Sequence, residues 1–278
     1  MIVDTHLHVV DRTALDYPWL SGTADLNRDW HYSAYEREAR RAGIVKTLHM
    51  EVDVAPQRIA DETEYVAALA ARPESLIAGA IAACRPEEEG FAKYLESVRE
   101  NRLVKGFRRV LHVVPDDVSE HPLFRENLRR LGGTGLTFDL CVLARQLDKA
   151  TELVDLAPDV TFILDHCGVP DIKGEAREPW AGSMKEIARR PNVIAKVSGV
   201  VAYADAETWV AETLRPWVEH TIEVFGWDRV VWGSDWPVCV PGGGLLAWVA
   251  ATHAILEGAT PEERRKLLHD NARRIWDI

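Results

Sequence analysis

Eight times along this chain a short apolar, β-branched run gives way to a longer amphipathic stretch, and this alternation limits the fold more than any other feature. The strand candidates are Ile2–Thr5, Thr47–Val52, Leu76–Ala82, Val104–Val110, Leu136–Cys141, Val160–Asp165, Val193–Val197 and Val230–Gly233. They are apolar nearly throughout, as parallel strands covered on both faces are. Between them lie helical stripes: Phe91, Tyr94, Leu95 and Val98, then Val210, Leu214, Trp217, Thr221 and Phe225. Pro86, Pro122 and Pro261 suit first turns of helices, and Thr260 to Trp276 reads as a closing C-terminal helix. Repeated strand–helix units with no composition break predict an α/β fold, a single (β/α)8 TIM barrel over residues 1–278. A doubly wound open sheet is the rival. The count of eight and the lack of a Gly-x-Gly-x-x-Gly loop after the first strand disfavour it.

Composition narrows the function. With 278 residues, 47% of them hydrophobic, the chain can bury one large core. Its net charge of -11, with no basic block, argues against a nucleic-acid or anionic-membrane partner. The first strand begins at once and carries Asp4, so no signal peptide is expected. No apolar run approaches the roughly 20 residues of a membrane span. Cys84, Cys141, Cys167 and Cys239 lie far apart without a Cys-x-x-Cys pair, the usage of a reduced, cytoplasmic protein. The expected partner is a small-molecule substrate, with a homo-oligomer left open.

Three long connections leave the C-terminal ends of strands, the face where such barrels place their sites. They run from Val9 to Tyr32, from Gly168 to Trp180 and from Trp236 to Gly244. The first carries Tyr17, Pro18, Trp19, Leu20 and Trp30, suited to a plug or to a substrate lid. The strand ends themselves turn polar: His6 and His8, Glu51 and Asp53, Arg108, Arg109 and His112, Asp165 and His166, Lys196 and Ser198, Ser234 and Asp235. Burying so many ionisable groups at one barrel mouth is costly unless pairing or function compensates. His6-Leu7-His8 puts two imidazoles on one strand face, a divalent-metal site or a carbonyl-polarising pair. Asp235 is the candidate general base, against the plainer role of a turn aspartate before Pro237. His166 either joins the imidazole cluster or is satisfied by loop backbone. Arg108 either clamps substrate through its planar fork or pairs with Glu51. Only one of Arg108 and Arg109 should reach the site, because adjacent strand residues face opposite ways. Lys196 points inward to substrate or forms a salt bridge inside the barrel.

His6-Leu7-His8, Leu164-Asp165-His166 and Gly233-Ser234-Asp235-Trp236-Pro237 resemble the amidohydrolase superfamily. With Asp16-Tyr17-Pro18-Trp19-Leu20, Glu51-Val52-Asp53, Lys105-Gly106-Phe107-Arg108 and the stretch from Pro191 to Gly199, they resemble its sugar-lactonase-like branch across essentially the whole chain. The resemblance implies a hydrolase opening the lactone of a sugar acid. His6, His8, His166 and Asp235 would form the catalytic cluster or the ligands of one divalent metal, zinc foremost. Arg108 would contact substrate, with Glu51, Trp19, His112 and Lys196 as further candidates. Binuclear members of the superfamily use a modified lysine near the end of strand four. Here Lys105 precedes Gly106, toward the wrong end, and Arg108 takes the later position, which argues against two metals. Some members of the branch hydrolyse lactones without an obligatory metal, so the resemblance allows one ion or none. The alternatives are a metal-dependent decarboxylase of an aromatic or enoic acid, and a catalytically silent sugar-acid binder.

Overall fold

The computed structural model describes residues 1–278. One eight-stranded sheet forms its centre, with all strands parallel and in sequence order. They are β1 (Ile2–Leu7), β2 (Ile44–Met50), β3 (Ile77–Ala83), β4 (Val104–Val110), β5 (Thr137–Cys141), β6 (Thr161–Leu164), β7 (Val193–Val197) and β8 (Val230–Trp232). A principal helix follows each strand: α1 (Tyr32–Arg41), α2 (Ile59–Ala70), α3 (Phe91–Val98), α4 (Pro122–Arg129), α5 (Leu147–Leu156), α6 (Trp180–Ile187), α7 (Ala211–Phe225) and α8 (Gly244–Ile255). β8 has only three residues, and the sheet is stitched shut beyond it. Asp235 N donates to His6 O at 2.9 Å, and His8 N donates to Trp236 O at 2.8 Å. The expected (β/α)8 barrel is the result.

Two separate apolar compartments follow from the parallel strands. The larger lies between sheet and helices and holds the aromatic residues Phe107, Phe124, Phe138 and Phe162. The smaller fills the barrel with Val3, Leu48, Met50, Ile81, Ile163, Ile194 and Val231, and Trp276 closes its lower end. Trp276 Nε1 also donates to Thr137 Oγ1 at 3.2 Å. No helix is long and apolar enough to cross a membrane, and all four cysteines are buried free thiols.

Pro122 and Pro261 open helices as expected, but Pro86 does not. It lies in a turn whose carbonyls are engaged by a side chain: Asn127 Nδ2 donates to Pro86 O at 2.9 Å and to Glu88 O at 3.4 Å. The helix starts only at Phe91, where the buried stripe begins. The C-terminal helix runs from Pro261 to Trp276 as expected, with a π-helical turn inside it. Thr260 caps Pro261–Arg265 through a reciprocal box with Glu263. A π-helical turn at Lys266–Asp270 then precedes Asn271–Trp276. The wider turn brings Asn271 Nδ2 to Trp227 O at 2.7 Å and Val230 O at 2.8 Å, tying the segment under β8.

One buried strand residue couples the fold to pH. His49 in β2 is 2% exposed, and burial, aided by His8 and Arg108, pushes its imidazole down to about 3. The unfolded chain protonates the same group near 6.5. Unfolding therefore takes up a proton below that pH, so stability present above about 6.5 is lost as pH falls toward about 3. His49→Gln should remove about 2 kcal/mol from the drop in unfolding free energy between about pH 7.5 and 5. Urea titrations of both proteins at the two pH values measure this, and an unchanged drop would refute it.

Candidate active site

Along the strands, the barrel interior changes from apolar to ionisable within two residues. Ile163 of β6 is followed on the same face by Asp165, and Ile194 of β7 by Lys196. Above the apolar layer lie His6, Arg108, Asp139, Asp165, His166, Lys196 and Asp235, all buried. β1 brings His6 to this layer, and His8 follows directly after the strand. The register against β2 slips between Asp4 and Leu7, so Val3 belongs to the apolar layer and His6 to the polar one.

Asp235 lies at the centre. Its Oδ1 is 3.6 Å from His6 Nε2 and 3.5 Å from His8 Nε2, and its Oδ2 is 3.9 Å from His166 Nδ1. The two Nε2 atoms are 3.2 Å apart. His8 Nδ1 lies 3.1 Å from Met50 O, a partner that can only accept, so Nδ1 carries the proton and Nε2 presents a lone pair. His6 Nε2 faces Arg108 Nη1 at 3.3 Å, a partner that can only donate, so this nitrogen presents a lone pair too. Burial, with Lys196 adding repulsion, holds His6 well below the ordinary imidazole range. Burial also lowers His166, against the pull of Asp235 and Asp165.

Two cations support this cluster from beneath. Arg108 Nε donates to Glu51 Oε1 at 2.5 Å and Nη2 to Glu51 O at 2.8 Å, while Nη1 approaches His6 Nε2 at 3.3 Å. Arg109, on the other face, is held by Glu87 at 2.8 Å, so one arginine reaches the site, as the strand parity requires. Lys196 is fully buried, with Nζ 2.6 Å from Asp139 Oδ2, 2.8 Å from Asp165 Oδ1 and 3.3 Å from His6 Nδ1. Burial opposes ionisation of Asp165, but Lys196 and His6 outweigh it and hold that carboxyl well below its usual range. Asp139 is pushed up to about 7, chiefly by burial.

His166 is held by an unusual backbone. His166 (φ 55°), Cys167 (φ 52°), Gly168 (φ 67°) and Val169 (φ 52°) form a left-handed turn after β6. Each non-glycine residue there costs about 1–2 kcal/mol, and such strain gathers at functional sites. Trp180 Nε1, bonded to Cys167 O at 2.8 Å, braces the turn, and Ser198 Oγ lies 3.0 Å from His166 Nδ1. Gly199, itself at φ +68°, passes so close that an added Cβ would lie 2.5 Å from His166 Nδ1 and 2.8 Å from His166 Cβ. Gly199→Ala should therefore displace the ring and lower kcat/KM about 10²-fold while circular dichroism stays native. Unchanged turnover would remove His166 from the reaction.

Above the cluster is a cavity of ≈ 280 Å³, near the small end of small-molecule sites. His8, Arg108, His166 and Asp235 border it, as do Trp19 and His112. Glu51 and Lys196 do not border it. They lie one layer lower, paired to Arg108 and to the two aspartates. Trp19, Leu20, Leu26 and Trp30 of the 9–32 connection also line the cavity. Tyr203, absent from the strand-end reading, also borders the cavity, its ring 6.2 Å from that of His166. It sits on a helical turn, Val200–Tyr203, beyond β7, where no periodicity marks it. Burial pushes its hydroxyl up. Cys141 borders the cavity as a protonated thiol raised by burial, 3.2 Å from His112 Nδ1. His112 is itself lowered to about 4, by burial and then by Arg108.

The donor set fits a divalent ion. His6, His8 and Asp235 offer one ligand atom each, at separations of 3.2, 3.5 and 3.6 Å. Ligands about 2.0–2.1 Å from a tetrahedral zinc are separated by about 3.3–3.4 Å. Two lone pairs that face each other with no proton between them repel, and a cation relieves that repulsion. The carboxylates of Glu51, Asp139, Asp165 and Asp235 outnumber the cations Arg108 and Lys196, which also favours positive charge here.

The amidohydrolase family model matches residues 3–278. The chain belongs to the amidohydrolase family. This amidohydrolase is 26% identical over 284 residues to an L-fucono-1,5-lactonase of Burkholderia ambifaria, covering 99% of this chain and 95% of that one. It is 25% identical over 218 residues to an L-rhamnono-gamma-lactonase of Scheffersomyces stipitis, covering 68% and 65% respectively. Both relatives agree with the branch that the motifs resemble. A crystal structure of an amidohydrolase from Burkholderia multivorans with bound zinc has the same fold, with a TM-score of 0.89 at 23% identity over 100% of this chain and 99% of that one.

Proposed function

We propose that this amidohydrolase opens the lactone of a sugar acid by adding water to its carbonyl carbon. The observation that carries the reading is the division of the Asp235 carboxylate, Oδ1 toward His6 and His8 and Oδ2 toward His166, beside a small cavity. Asp235 accepts a proton from water and directs the resulting hydroxide at the acyl carbon. His166 and Arg108 hydrogen-bond the carbonyl oxygen as it gains charge. The acyl carbon–ring oxygen bond then breaks, and the ring oxygen takes the proton held at Asp235, leaving one hydroxy acid. His6, His8 and Asp235 would hold a divalent ion, zinc by donor type and spacing, which when bound supplies a Lewis acid and lowers the pKa of water to about 7. The similarity to two sugar-acid lactonases supports the substrate class.

Decarboxylation on the same barrel would call on Arg108 for the substrate carboxylate. The similarity to two sugar-acid lactonases favours the lactonase reading. Proton release from a panel of five- and six-membered sugar lactones, run with purified protein and added zinc, tests it. Acid release above the spontaneous rate on one stereochemical subset is expected. Silence across the panel, with chelator-sensitive carbon dioxide release from aromatic or enoic acids, would replace the lactonase with a decarboxylase. Lactone binding without acid release over hours would leave a binder.

A further inference from the structure

Asp4 carries a fully buried carboxyl group that the proposed steps leave unused. It lies on β1 two residues before His6, and its partners are neutral donors. Oδ1 accepts from His6 N at 3.1 Å and from Ser234 N at 2.8 Å, and Oδ2 accepts from the Tyr35 hydroxyl at 2.7 Å. Tyr35 belongs to α1 and is itself fully buried, so the carboxyl group is anchored from outside the barrel. The other two donors are the amide of His6 and the amide of the residue immediately before Asp235. One oxygen atom thus grips the backbone at both partners of the 3.6 Å contact between His6 Nε2 and Asp235 Oδ1.

The irregular course of β1 calls for such a grip. Side chains two apart share a face of a regular strand, so Val3 and His6, three apart, would face opposite ways. Both face the barrel interior, because the register of β1 against β2 shifts between Asp4 and Leu7. A shift of this kind re-aims a side chain, and the bond from His6 N to Asp4 lies within it. Across the seam Asp235 is at φ 56°, and the Ser234 amide held by Asp4 fixes where that turn begins. We propose that Asp4 is a positioning residue for the hydrolysis: by accepting both amides it sets the separation of His6 from Asp235, and it takes no part in the proton transfers. This rests on the lactonase reading. The role needs a hydrogen-bond acceptor at this place, not a negative charge.

Asp4→Ala removes the acceptor. Asp4→Asn keeps it, because Oδ1 of the amide can take both backbone donors while Nδ2 donates to the Tyr35 hydroxyl. Thr5→Val is the control. Thr5 Oγ1 donates to Trp232 O at 2.8 Å across the same β1–β8 seam and is equally buried, but it grips neither His6 nor Ser234. With an accepted lactone, proton release should show kcat about 10²-fold lower in Asp4→Ala. KM should stay within about twofold of the parent, and Asp4→Asn and Thr5→Val should keep the parent's kcat. A role confined to stability would lower the melting temperature of Asp4→Ala and Thr5→Val and leave kcat intact in both, which would overturn the proposal. Asp4→Asn as slow as Asp4→Ala would overturn it too, since charge would then be the cause. If Asp4→Ala does not fold, Tyr35→Phe, which strips only the outer anchor, should lower kcat about 10-fold at unchanged KM, and an unchanged kcat would refute the role. Where the unaltered protein opens no lactone, the lactonase reading falls and crystal structures decide the placement. Asp4→Ala, or Tyr35→Phe in its stead, should lengthen the His6 Nε2–Asp235 Oδ1 separation by about 0.5 Å or more, and an unchanged separation would end the proposal.

Discussion

Asp235→Asn should lower kcat by about 10²–10⁴-fold with KM nearly unchanged, the range for loss of a general base. The substitution keeps the side-chain shape and its place between the three imidazoles but removes the group that accepts the proton. It also keeps the backbone. Asp235 sits at φ 56°, a left-handed conformation that asparagine adopts as readily as aspartate. Its amide bond to His6 O and its carbonyl bond from Cys239 N do not involve the side chain. A melting temperature close to that of the unaltered protein, with turnover of an accepted lactone nearly abolished, is the expected pair of results. Full turnover in a folded variant would mean that Asp235 is a turn residue and that water is activated elsewhere.

Lys196→Met should destabilise the barrel by about 3–5 kcal/mol, the cost of breaking a buried ion pair from one side. The fully buried ammonium stands between Asp139 and Asp165. Without it two carboxylates share one dry space, and one must take a proton. Asp139, already raised to about 7 by burial with Lys196 present, is the one expected to stay protonated. Adding Asp139→Leu should restore part of the loss, because an apolar pair of similar volume replaces the ions. Urea denaturation of the single and double variants reads both effects. A single variant within about 1 kcal/mol of the parent would show that the triad contributes little to stability.

Much of this architecture was legible in the chain. Eight buried runs between amphipathic stretches specify the barrel, because β-branched residues and 3.6-residue periodicity act locally. The residues at strand ends could be grouped because strand parity is a local property too. Parity also separated Arg108 from Arg109. What the sequence did not disclose depends on residues far apart along it. At their strand ends Glu51 and Lys196 read equally as site residues or as ion-pair partners, and only the pairs Glu51–Arg108, Lys196–Asp139 and Lys196–Asp165, between strands far apart in the chain, decide for pairing. Tyr203 reaches the cavity through a loop whose path no periodicity encodes. Pro86 lies in a turn whose carbonyls are engaged by Asn127, 41 residues away, a contact that no local pattern announces.

The seam between β8 and β1 has a consequence for how such a protein can change over generations. The backbone hydrogen bonds that close the cylinder belong to His6, His8, Asp235 and Trp236, so three of the four residues that join the ends of the sheet are those to which the proposed chemistry is assigned. Here a lineage under pressure for a tighter or looser cylinder is selected on reactivity at the same positions. Novelty is therefore channelled away from this seam and into the 9–32 connection, which touches the substrate space without closing the sheet.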